Sequence, residues 1–196
     1  MGKVKYLREF RTHFEKRAYF TSAEAARFMR SLGAADDYPA LMLYNLERRG
    51  ELNRLKKGYY SFREDIDSVG FVFEPFYYGL QEALSIHGLW EQETNPVIMT
   101  TRRVRTGLRV FLGRNVVVHH INRKMFFGYE PARVGSTFVP VSDIEKTLID
   151  FAYFRMQVPE PAMEKIRKRL DRKRLQQYLN DVDGLLRKKV LALQGR

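Results

Sequence analysis

The chain of 196 residues contains no cysteine. Disulfide scaffolds, thiolate-bound zinc and thiol nucleophiles are therefore excluded, and the composition suits a reducing interior. No uncharged apolar run approaches the ~18 residues that a bilayer span requires. The first residues, MGKVKYLREF, lack the apolar core of a signal peptide, and Tyr6 stands where a myristoylation site needs Ser or Thr. The expectation is a soluble cytoplasmic protein with no membrane partner. Catalytic signatures are also scarce. No serine sits in a nucleophile elbow, and no glycine loop has the spacing of a phosphate cradle. There are four histidines, His13, His87, His119 and His120. The adjacent pair falls on a predicted strand, where the rings point to opposite faces and cannot hold one ion together. The sequence predicts no enzyme, no cofactor and no metal centre.

What is abundant is positive charge, a net +12 from 35 Lys and Arg against 23 Asp and Glu. Residues 1–62 hold 13 basic and 7 acidic side chains, residues 63–154 hold 10 and 11, and residues 155–196 hold 12 and 5. Two basic ends flank a near-neutral middle. Such ends suit a polyanion such as nucleic acid, or form a solvated basic surface.

Residues 4–15 carry apolar side chains at 4, 7, 10 and 14, which is helical spacing. Thr21 and Glu24 form a capping-box pattern ahead of a stripe of Ala25, Phe28, Met29 and Leu32, with Gly33 as the stop. A third helix follows in YPALMLYNLERRG. Asp36 or Asp37 is placed to cap it, Pro39 fits its first turn, and Met42, Leu43 and Leu46 share its inner face. Then the period changes. ELNRLKKGYYSF reads as a β-hairpin turning at KKG, with Gly58 at the tip and Tyr60 and Phe62 as anchors. Two helices joined by a tight turn and followed by a hairpin predict a winged helix-turn-helix over residues 1–66. The bland alternative is a three-helix bundle with a solvated hairpin.

On the winged-helix reading, Arg54, Lys56 and Lys57 at the wing meet phosphates, and Tyr59 faces outward. The outer face of the third helix offers Tyr38, Leu41, Tyr44, Asn45 and Arg48. Asn45 and Arg48 suit base edges, and tyrosine suits phosphate. Leu41 fits either a thymine methyl or a neighbouring segment. Arg27 and Arg30 on the second helix are placed to clamp the backbone.

Residues 67–196 are expected to form a mixed α/β domain ending in helices, so that the whole is α+β. REDIDSVGFVFEP reads as a linker. A helix is predicted over PFYYGLQEALSIHGLW, then strands in PVIMTT, LRVFL, NVVVHHI, KMFFGYEP and STFVPV. Ser142 with Glu145 reads as a second capping box, opening the helix DIEKTLIDFAYF with Ile144, Leu148, Phe151 and Ala152 inward. Met163, Ile166 and Leu170 form one later stripe. Leu175, Tyr178, Leu179 and Val182 form another, with Asp171 as its cap. Asp143, Glu145, Lys146 and Asp150 raise the idea of a metal-dependent nuclease. Yet carboxylates in a helix's first turn are accounted for by its free amides and dipole.

In three stretches, LERRGELNRLKKGYYSF, FYYGLQEALSIHGLWEQETNPVIMTTRR and VPVSDIEKTLIDFAYF with the helices after it, the chain resembles the AbiEi-type antitoxins. These are the transcriptional regulators of a phage-defence toxin–antitoxin system. The resemblance implies a repressor that binds its own promoter as double-stranded DNA through the third helix and wing. It also implies a second domain that counteracts a nucleotidyltransferase-like toxin. The alternative is a simple winged-helix regulator whose second domain serves oligomerisation or another partner.

Overall fold

The computed structural model describes residues 6–64, 66–135 and 137–194. Val4, at the head of the predicted first helix, and Ser136, at the head of the last predicted strand, lie outside the described residues. The fold is mixed α+β with two sheets. It divides into two compact units, Met1–Val72 with Phe111–Arg114, and Phe73–Val110 with Asn115–Arg196.

The first unit runs α1 (Leu7–Phe14), β1 (Phe20–Thr21), α2 (Ser22–Ser31), α3 (Tyr38–Arg48), β2 (Asn53–Lys56) and β3 (Tyr59–Ser61). The strands form an antiparallel sheet in the order β1-β3-β2. Thr21 caps α2 as expected: its hydroxyl accepts from the Glu24 amide, and the Glu24 carboxylate accepts from the Thr21 amide at 2.7 Å. The third helix differs from expectation. Asp37 occupies its N-cap position, but its side chain makes no capping bond, and Asp36 instead lies 3.7 Å from Arg30. Asp37 has helical backbone angles, whereas a side-chain cap needs an extended residue at that position.

The core of this unit is aromatic. Phe10, Phe14 and Phe20 are fully buried together with Met29, Met42 and Leu46. The Phe14 and Phe20 rings stand 4.4 Å apart. Tyr60 and Phe62 pack on the same cluster, so the hairpin is anchored through the face the sequence assigned to it.

The segment predicted as a linker is not one. Ile66–Phe73 winds as a 3₁₀ turn that buries Val69, Val72 and Phe73. Its acidic start resembles a linker, but the apolar run VGFVF has to leave water.

The second unit holds a six-stranded sheet in the order β6-β7-β5-β4-β9-β8. Its strands are β4 (Phe76–Tyr78), β5 (Val97–Thr100), β6 (Gly107–Phe111), β7 (Arg114–His120), β8 (Tyr129–Val134) and β9 (Thr137–Ser142). The pairs β4–β9 and β5–β7 are parallel, while β4–β5 and β8–β9 are antiparallel. Helix α4 is Leu80–Ile86, α5 is Ile144–Tyr153, α6 is Glu160–Arg169, α7 is Arg172–Asn180 and α8 is Gly184–Gln194.

Two predicted boundaries fail here. Phe76–Tyr78 was expected to begin a helix but forms a central strand with every residue buried. A strand covered on both faces shows an unbroken apolar run instead of alternation, and a short run of that kind also fits a helix turn. In KMFFGYEP, Arg123–Met125 is a 3₁₀ turn and the strand starts only at Tyr129, after Gly128 with φ 65°.

Helix α5 lies at the centre, packed against α4, α7 and α8. Its cap is Asp143, which accepts from the Lys146 amide at 2.7 Å, and not Ser142. The Ser142 hydroxyl pairs with that of Thr147 at 2.7 Å, and Glu145 accepts from the Asp171 amide. One residue of register decides this, because Asp143 has the extended backbone an N-cap needs. Asp171 caps α7 as predicted, accepting from Lys173 and Arg174. Among the described residues no helix is long and apolar enough to cross a membrane.

Candidate nucleic-acid interface

Helix α3 buries Met42, Leu43 and Leu46, which turns the opposite row outward. Leu41 and Tyr44 are 57% and 58% exposed, too open to be core residues of this unit. Arg48 lies one turn beyond Tyr44 and is exposed, and Asn45 is half-buried at the rim of the same row. Tyr38 sits at the start of the helix, half-buried, its ring edge-on to Tyr6 at 6.0 Å. The structure therefore gathers Tyr44, Asn45 and Arg48 on one surface, while Tyr38 is engaged in packing.

The hairpin turns over Lys57 and Gly58. Gly58 has φ 77°, a conformation that suits glycine, and a Cβ there would stand 3.3 Å from the Ser22 hydroxyl. The Ser22 amide donates to the Gly58 carbonyl at 2.9 Å. This bond seats the hairpin tip on the first turn of α2. Lys57 stands exposed at that tip. Arg54 is exposed on β2, with a guanidinium nitrogen 3.7 Å from Glu47 at the end of α3. Such an open pair contributes little to stability.

Lys56 and Tyr59 are differently employed. The Lys56 ammonium donates to the Val72 carbonyl at 2.8 Å and lies 4.0 Å from the centre of the Tyr59 ring. Tyr59 in turn stacks on Tyr19 at 5.6 Å. On α2, Arg27 and Arg30 are both exposed, and Arg30 lies 3.7 Å from Asp36. Burial pushes the Glu24 carboxyl up, but the Thr21 bonds together with Arg17 and Arg27 outweigh it and hold the group below its ordinary value. Arg49, at the end of α3 and exposed, belongs to the same region and was not singled out by sequence. The pair of arginines in LERRG was its only signal.

The residues of the nuclease idea do not form an open site. Lys146 and Asp150 are fully buried and salt-bridged, and the Tyr77 hydroxyl donates to Asp150 at 2.9 Å while accepting from Lys146 at 3.0 Å. Burial pushes the Asp150 carboxyl up and the Lys146 ammonium down. Asp143 accepts from the Tyr178 hydroxyl at 2.7 Å. Glu145 is raised chiefly by burial. Among the described residues no three His, Cys, Asp or Glu side chains stand together as a metal site. Of the histidine pair, His119 is half-buried against Phe154 at 4.7 Å, and His120 is exposed.

Compared with known proteins, the chain matches no family model and no curated sequence. Among solved structures it is similar to the crystal structure of the RV2827C protein from Mycobacterium tuberculosis. Identity is 15%, the TM-score is 0.63, and the match covers 90% of this chain and 71% of that one. At that identity the likeness is one of fold alone.

Proposed function

We propose that this protein is a DNA-binding transcriptional repressor, with no enzymatic activity, whose first unit is a winged helix-turn-helix domain. The observation that carries the reading is the juxtaposition in that unit. An outward row of Tyr44, Asn45 and Arg48 on α3 is followed by a tight basic hairpin whose tip is seated on the start of α2. In this reading α3 enters the major groove, Asn45 and Arg48 read base edges, and Lys57 and Arg54 hold phosphates. Leu41 and Tyr44 supply apolar contact to thymine methyls and the sugar–phosphate edge. The resemblance to AbiEi-type antitoxins extends the proposal. The second unit then counteracts a nucleotidyltransferase-like toxin, and the first represses the shared promoter.

The test is selection of duplexes from a random pool, followed by affinity measured across salt concentrations. Lys57→Ala and Arg54→Ala each lower the slope of log affinity against log salt by about 1, for all sequences alike. Asn45→Ala and Arg48→Ala relax the selected site, at about 1–3 kcal/mol of discrimination per lost bidentate contact. Unchanged slopes and an unchanged site in all four variants would falsify the interface. Lys56→Ala is expected to change the slope least of the wing residues, since its charge already faces the Val72 carbonyl and the Tyr59 ring.

A second reading is a simple regulator whose second unit serves oligomerisation. It is favoured by Leu108 and Val110, which stand 64% and 68% exposed, two residues apart on the edge strand β6. Light scattering of the full chain and of Val110→Asp separates the two readings, because only this one predicts an oligomer that the substitution disperses.

A further inference from the structure

The basic run TRRVRT follows β5, and β7 ends at His120 and continues as Ile121–Arg123. β5 and β7 are parallel neighbours, paired from Val97↔Val117 to Thr100↔His120, so both leave the sheet at the same end. There the two following loops bound a cleft of about 920 Å³. Its lining includes Arg102, Arg103, His120, Asn122, Arg123 and Phe126 and, among the described residues, no carboxylate. The crevice beyond the carboxyl ends of sheet strands is where open α/β sheets take ligands.

Both loops are held at their roots. The Thr100 hydroxyl faces the carbonyls of Phe73 at 2.8 Å and Pro75 at 2.9 Å, and accepts from the Arg102 amide at 3.1 Å. The Ile121 amide donates to the Thr100 carbonyl at 2.9 Å. Asn122 caps the turn that carries Arg123 by accepting from the Lys124 amide at 2.9 Å. Arg103 and Arg123 are exposed, and among the described residues neither takes part in an ion pair. Phe126 packs against Tyr77 at 5.4 Å and Tyr129 at 5.0 Å, whose rings stack on one another at 5.3 Å. One wall is thus cationic and held in place, and another presents an aromatic ring.

We propose that this cleft binds a nucleoside polyphosphate, with its phosphates on Arg103 and Arg123 beside His120 and its base against Phe126. Guanidinium groups match phosphate oxygens in two-pronged hydrogen bonds, which a point charge cannot do. The volume falls in the range of about 300–1,000 Å³ typical of small-ligand sites. A groove for single-stranded nucleic acid presents several aromatics to successive bases, whereas among the described residues Phe126 is the one Phe, Tyr or Trp lining this cleft. The lining residues belong to the second unit, and none of them is a residue of the proposed DNA interface.

Calorimetric titration of the full-length protein with ATP, GTP and inorganic tripolyphosphate tests the proposal. At least one nucleotide is expected to bind about tenfold or more tightly than tripolyphosphate. Arg103→Ala and Arg123→Ala each weaken nucleotide binding about tenfold or more, as expected for loss of charge-assisted bonds. Arg133→Ala, on β8, leaves it unchanged. Melting curves matching wild type show that the variants are folded. The proposal fails if neither nucleotide binds at millimolar concentration, if tripolyphosphate binds as well as both, or if the two arginine variants bind like wild type. It also fails if a single-stranded oligonucleotide binds more tightly than either nucleotide and loses affinity in the same two variants, which would assign the cleft to nucleic acid.

Discussion

At the scale of single residues, the Lys146–Asp150–Tyr77 cluster sets the strongest constraint on the second unit. Two ionisable groups with no solvent exposure are tolerable only while each satisfies the other. The two pKa shifts run in opposite directions, Asp150 up and Lys146 down, and burial thereby favours the neutral form of each. Lys146→Ala leaves a buried carboxylate without its cation and is expected to cost about 3–5 kcal/mol by urea unfolding. The sign of the pH effect follows. Asp150, with its carboxyl pushed up further in the variant, costs stability wherever it must ionise. The cost shrinks as pH falls and the group is protonated. Lys146→Met with Asp150→Leu replaces both partners by apolar groups and should recover most of the loss. If the double variant is as unstable as the single one, the pair contributes more than mutual neutralisation.

At the scale of elements, capping decides where helices begin, and it also separates what could be read from what could not. Thr21 and Glu24 were legible because the whole device lies within four residues. At α5 the same pattern misled. Ser142 and Glu145 have the right spacing, but Ser142 belongs to β9 and its hydroxyl turns to Thr147, which leaves Asp143 as the cap. Strand β4 was misread because only its neighbours on both sides, β5 and β9, make FYY a strand. The cations of the hairpin are legible in the sequence, yet the engagement of Lys56 with Val72 depends on a 3₁₀ turn that reads as a linker. The basic cleft needed two loops that are adjacent only through parallel pairing. Thr21→Ala is expected to cost about 1 kcal/mol in thermal or urea unfolding. Glu24 is held below its ordinary value of 4.5, so its contribution is present above that pH and is lost as pH falls through the folded value. The gap between wild type and Thr21→Ala should therefore narrow as pH falls below the ordinary value of 4.5. A constant gap across that range would mean that the carboxylate adds nothing to the cap.

At the scale of the whole molecule, two units with separate cores carry separate proposed tasks. The first is built on Phe10, Phe14 and Phe20, and the second on α5 and the sheet. Among the described residues, none belongs to both of these clusters. A fragment of residues 73–196 keeps all six strands and α4 to α8, and is expected to fold with cooperative unfolding of its own. The two fragments then divide the proposed functions. Residues 1–72 should bind the selected duplex, though more weakly than the full chain if the protein acts as an oligomer. They should give no protection from a toxin, because the surface of so small a unit is committed to its own core and to DNA. Residues 73–196 should protect cells from a nucleotidyltransferase-like toxin of the same operon without binding the operator. An enzyme predicts something else: Mg²⁺-dependent cleavage of DNA by the homogeneous full chain, lost in Asp143→Ala. Such cleavage, without protection from the toxin, would remove both the repressor-only and the antitoxin readings. Protection by residues 1–72 alone would place the toxin contact on the wrong unit. A folded 73–196 fragment that neither protects nor cleaves would leave DNA binding intact and transfer the second unit to the oligomerisation reading, where exposed Leu108 and Val110 on β6 already point.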